Sequence, residues 1–178
     1  LPQIYPVSAE AFTAGLPEGG AELMEEFSRS YLRLNGILAE RSPWTLAHQD
    51  YRVENMLFGD ATEDHVVVID WQGIGRGPGA YDLAYLLGGS MDTGLRRAHE
   101  KELVAAYQTQ LSYNGVEDYP LEKAWEDYRF AHLLGGLATS IFAGGTLDLS
   151  NERGVELITM MASRHVIAAL DHGGFSQL

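Results

Sequence analysis

Cysteine is absent from this 178-residue chain, which excludes disulfides, thiolate metal sites and cysteine nucleophiles. Lysine is nearly absent as well, with Lys101 and Lys123 the only two. Basic residues number 12 against 25 acidic ones, giving a formal net charge of −13. A nucleic-acid or anionic-membrane surface needs clustered Lys and Arg, so neither partner is expected. Long hydrophobic runs are missing too. The most apolar stretch, 131–145, is well short of the roughly 20 residues that cross a bilayer. The first ten residues, LPQIYPVSAE, lack the charged and apolar regions of a signal peptide. These absences predict a cytoplasmic protein. Five Gly-Gly pairs occur at no fixed period, which excludes a repeat architecture.

What remains is a hydrophobic content of 46%, enough for one core, so a single helical domain over 1–178 is expected. Pro2 and Pro6 predict an extended start, and Ser8 reads as the N-cap of a short helix from Ala9 to Ala14. The GLPEGG that follows lacks the G-x-G-x-x-G spacing and flanking strands of a phosphate-covering loop, and reads as a turn between helices. Met24, Phe27, Tyr31, Leu34 and Leu38 recur at steps of three and four. They predict an amphipathic helix over 21–41, ended by Ser42-Pro43 and packed beneath the segment that follows. Trp44 to Ala47 read as a short strand.

That next segment, HQDYRVENMLFGDATEDHVVVIDWQ over 48–72, organises the chain. Met56 to Phe58 and Val66 to Ile69, joined by the polar GDATEDH, predict a β-hairpin whose all-aliphatic strand is buried. Phosphoryl transfer asks for a carboxylate to take the proton of an attacking hydroxyl and for oxygen ligands to the Mg2+ carried by ATP. Asp50, Asn55 and Asp70 supply those types in that order, and the interval from Asp50 to Asn55 fits the kinase pattern H-R-D-x-x-x-x-N. The hairpin places Asn55 and Asp70 on neighbouring strand ends, where one metal could take both. The glycines of GIGRGPGA at 73–80 approach a dinucleotide fingerprint, but Pro78 and the lack of a second strand with an acidic end argue against it.

HQDYRVENMLFG with VVVIDWQGIGRGPGAYDLAYLLG resembles the C-terminal lobe of the aminoglycoside phosphotransferase and choline kinase-like group of small-molecule kinases. The matching residues are His48, Asp50, Asn55, Ile69-Asp70-Trp71-Gln72 and Asp82-Leu83-Ala84; Gln49 departs from the usual glycine. The resemblance implies a mainly α fold with a short β-hairpin, the C-terminal lobe of a protein kinase-like protein. It implies Asp50 as catalytic base, Asn55 and Asp70 on Mg2+ and ATP, and His48 and Asp82 as structural support of the loop. The acceptor would be a hydroxyl of a small molecule, for which the acidic balance makes a cationic one an option. Later helices would build its pocket, making Asp127, Tyr128, His132 and Asp148 candidates, with Arg52 near the phosphates or the acceptor. Such a kinase also has an N-terminal β lobe with a phosphate-binding Lys, and nothing before Asp50 reads as one. That lobe of the same protein is the expected partner. A non-catalytic binding module and a metal-dependent phosphohydrolase are the alternatives.

Beyond the site, Asp92 predicts the N-cap of a helix to Tyr113 with Leu103, Tyr107 and Leu111 inward, closed by Asn114-Gly115. Tyr81 to Leu87 precede it as a helix. One long helix over 121–143 and another over 151–170 complete the chain, stopped by Gly173-Gly174. His65 stands alone on a turn, and His132, His165 and His172 each alone on a helical segment, so no histidine metal site is expected.

Overall fold

The computed structural model describes residues 1–41, 43–60 and 65–178. Among these, the order is α1 (Tyr5–Phe12), α2 (Gly20–Ala39), β1 (Trp44–Ala47), β2 (Met56–Phe58), β3 (Val66–Val68), β4 (Gly75–Pro78), α3 (Ala80–Ser90), α4 (Thr93–Tyr113), α5 (Leu121–Ala131), α6 (Gly135–Thr146) and α7 (Glu152–Asp171). Helices dominate, and the four strands form two antiparallel pairs, β1 with β4 and β2 with β3. The expected helix stop at Ser42 and much of the expected GDATEDH turn lie outside the described residues. No described helix is long and apolar enough to cross a membrane.

The chain opens in a helix, not an extended segment. Pro6 sits in the first turn of α1, where its missing N–H interrupts nothing and its fixed φ is already helical. Ser8 lies inside that helix instead of capping it, and its buried hydroxyl donates to the Ile141 carbonyl at 2.5 Å. The bond ties α1 to α6 at a close approach. A Cβ on Gly144 would meet Phe12, and one on Gly145 would meet Ile4.

Helix α2 follows its periodicity: Met24, Phe27 and Leu34 are buried, with Tyr31 and Leu38 at the margin of the same cluster. It packs on α7, α6 and α1, and reaches the loop before Asp50 through β4, which pairs with β1. Helix α4 begins as expected, with the Asp92 carboxylate accepting from the N–H groups of Gly94 and Leu95. Gly115, at φ 87°, closes it.

Two further expectations fail. The apolar period across 121–143 is not one helix, because the chain breaks at His132–Leu134, where Leu134 leaves the helical region at φ −134°, ψ −106°. The break lets one apolar face serve two cores. Tyr128 and Ala131 of α5 join Ala84, Leu87 and Val104, whereas Leu137, Ala138 and Ile141 of α6 join Phe12, Phe27 and Val166. Gly135 and Gly136 allow the turn, since side chains there would strike Tyr81 and His165. The aliphatic hairpin, secondly, is exposed. Val66 and Val67 are 51% and 46% accessible, because a strand with one neighbour gains burial only from whatever covers its faces.

Candidate active site

The first turn of α3 holds the loop that carries Asp50. Asp82 accepts the His48 N–H at 2.6 Å on one carboxylate oxygen and the Gln49 N–H at 2.9 Å on the other. Burial raises this carboxyl's pKa above the ordinary range, and the two N–H donors oppose the rise. Gln49 occupies the left-handed region at φ 68°, the conformation that a glycine enters without a Cβ penalty. The loop therefore keeps the glycine geometry in spite of the substitution. Room for the longer side chain comes from Gly75, whose absent Cβ would collide with the Gln49 amide.

His48 is buried and braces the loop against the hairpin. Its Nδ1 accepts the Asp50 N–H at 3.3 Å, which leaves Nε2–H to donate to the Ile69 carbonyl at 2.8 Å. The ring also lies 4.8 Å from that of Trp71. The Asp50 carboxylate is held on both oxygens. Tyr85 O–H donates to Oδ1 at 2.9 Å and the Asn55 amide donates to Oδ2 at 3.0 Å, while the side chain stays 35% exposed. Arg52 approaches Oδ1 at 3.5 Å. Tyr85 did not emerge from the motif, although it lies three residues after Asp82, one helical turn along the same face. Its own pKa is raised, by burial first, with a further contribution from the Asp50 charge.

Asn55 and Asp70 belong to adjacent hairpin ends, joined by the Ile69 N–H donating to the Asn55 carbonyl at 2.9 Å. Asn55 is buried and gives its amide nitrogen to Asp50, so its side-chain oxygen is the atom left for a cation. Asp70 is exposed and left-handed, at φ 64°. Hard oxygen donors of this kind suit Mg2+, which takes one or two protein ligands and completes its shell with phosphate and water.

The residues considered for an acceptor pocket sit elsewhere. Asp127 is buried and bound by Arg41 at 2.6 Å, Tyr119 at 3.1 Å and Lys123 at 3.2 Å. Tyr128 and His132 are buried between helices, and Asp148 closes a turn with Ser150. The cleft bordering Tyr85 and Arg52 is instead lined by Met160, Met161, Arg164 and His165 of α7. A larger apolar cavity of about 510 Å³ lies behind β1, among Trp44, Tyr51, Asp82, Leu83 and Tyr107. Two of the four histidines expected to stand alone do not: His132 and His172 meet at Glu100.

A helical body with a hairpin-borne acidic loop, pinned from below by an aspartate on the next helix, is compatible with the C-terminal lobe of a kinase-like protein. Residues 10–115, more than half of the chain, match the ecdysteroid kinase-like family. The chain belongs to that family, a kinase-like one related to small-molecule kinases. No curated protein and no solved structure matches the chain significantly.

Proposed function

We propose that this chain is the catalytic lobe of an ATP-dependent phosphotransferase that moves the γ-phosphoryl group to a hydroxyl of a small molecule. The observation that carries the reading is the Asp50 carboxylate, fixed on both oxygens by Tyr85 and Asn55 yet open to solvent. A general base works best when its orientation is fixed, and the Tyr85 and Asn55 hydrogen bonds supply that constraint. Asn55 and Asp70 would hold the Mg2+ that offsets charge on the transferring group, and His48 and Asp82 would keep the loop in place. The exposed apolar strands, with Leu57, Phe58, Val66 and Val67 outward, offer a face for an N-terminal lobe of the same protein that supplies the missing phosphate lysine.

The family's name points to a hydroxylated steroid as acceptor. The test is to incubate the full-length protein with Mg·ATP and either an ecdysteroid or an aminoglycoside, following ADP and the phosphate ester by mass spectrometry. Ester formation that depends on the steroid supports the reading. Free phosphate released without any acceptor would make the protein a hydrolase, and absence of turnover with either acceptor would favour a binding module.

A further inference from the structure

Three helices bring Glu100 of α4, His132 at the end of α5 and His172 at the end of α7 together in the interior. Each residue offers a ligand atom, and these atoms lie within 4.8 Å of one another. All three are at most 7% exposed. His172 Nε2 stands 3.1 Å from Glu100 Oε2, close to the edge of about 3.3 Å that separates two ligands on a tetrahedral zinc. His132 carries the second, independent sign. It is 4% exposed, and among the described residues neither of its ring nitrogens has a hydrogen-bond partner. Leaving a buried polar atom unsatisfied is costly, so an imidazole without partners for either nitrogen calls for a ligand.

We infer that Glu100, His132 and His172 form a zinc site, with a water or hydroxide in the fourth position. Two imidazoles and one carboxylate are a recognised zinc donor set, and the absence of thiolates disfavours softer metals. The carboxylate can serve two purposes at once. Oε2 accepts from Arg96 at 2.6 Å and from Tyr128 at 3.0 Å and stands 3.1 Å from His172 Nε2, while among the described residues no hydrogen bond engages Oε1. Arg96 is the guanidinium facing the cluster, and its charge is shared with Asp171, to which it also donates. The two imidazole rings lie 5.1 Å apart and nearly parallel, so that both face the same pocket beside Glu100. Metal here would clamp α4, α5 and α7, and the site is independent of the phosphotransferase reading.

The experiment strips the tag-free protein with EDTA and titrates it with Zn2+ against a chromophoric chelator, then repeats the titration with Co2+ to read its visible absorption. One equivalent bound, an absorption band of a low-coordinate nitrogen and oxygen site, and a higher Tm with Zn2+ are expected. His132→Phe, which keeps a planar ring, should weaken Zn2+ binding at least about 100-fold. His99→Ala, at an exposed position on α4, should leave it unchanged. Should His132→Phe fail to fold, His172→Gln carries the same expectation, since its amide can still bond Glu100. Zinc uptake equal in wild type, the cluster variant and His99→Ala, no stoichiometric uptake at all, or a Tm lowered by Zn2+ would overturn the site and leave a purely hydrogen-bonded network.

Discussion

The loop around Asp50 and the cluster around Glu100 are both carboxylates held by several donors, but they are assembled over different distances in the chain. Asp50 takes Asn55 from five residues away and Tyr85 from the helix just after the hairpin, and it remains open to solvent. Glu100 takes Arg96 from its own helix, then Tyr128 and His172 from two others, and is closed off from water. Both have a carboxylate that accepts from several donors. What differs is access: an oriented, reachable carboxylate can take a proton from a substrate, whereas an enclosed one can only fix helices or hold an ion.

The comparison breaks most sharply at Asp50. Asp50→Ala should remove about 10²–10⁴-fold of turnover, as loss of a general base does, with the melting temperature little changed. Wild-type turnover in that variant would end the assignment. The buried wall behind the open half should respond to acid. His165, packed beside Tyr85 and fitted against Gly89 and Gly136, is buried so completely that its pKa falls to about 4 from 6.5, with the Arg164 charge adding to the effect. The native chain keeps this imidazole neutral while the unfolded chain protonates it, so between those two values the unfolded state binds more protons and stability rises with pH. The contribution is full above pH 6.5 and lost on descending toward pH 4, amounting to about 3 kcal/mol. Urea unfolding of wild type and His165→Asn at pH 7 and pH 4.5 measures it, and an equal acid loss in both would assign the effect to other groups.

Two smaller effects sharpen the open half. Asp82→Ala strips both acceptors from the His48 and Gln49 N–H groups and should destabilise by about 2 kcal/mol, with turnover falling as Asp50 loses its support. Chemical unfolding and kcat together test this, and lost stability with full kcat would detach the loop from catalysis. Gln49→Gly should raise stability by about 0.5–1 kcal/mol, because relief of the left-handed backbone exceeds the added freedom of the unfolded chain. A loss of stability would mean that the Gln49 side chain over Gly75 contributes more than its backbone costs.

Periodicity located most helices because a buried stripe at steps of three and four is a local property: α2 and α7 follow their apolar residues, and Asp92 caps α4 through its own next residues. Where the prediction needed to know what lay opposite, it failed. Pro6 could start a helix as readily as prevent one, and α1 forms where it has α6 to dock on. The period across 121–143 ran unbroken although the helix did not, since the same spacing serves two cores on either side of a turn. Val66 and Val67 look like interior residues and face outward.

The sequence by itself determined the acidic loop, because His48, Asp50 and Asn55 lie within eight residues of chain and Asp70 ends the paired strand. Only the tertiary structure decided that Tyr85 holds Asp50, that Gln49 sits in a glycine conformation, and that His132 and His172 meet Glu100. Those contacts depend on how helices cross. Crossing is set by packing summed over whole faces, a quantity that no short motif carries.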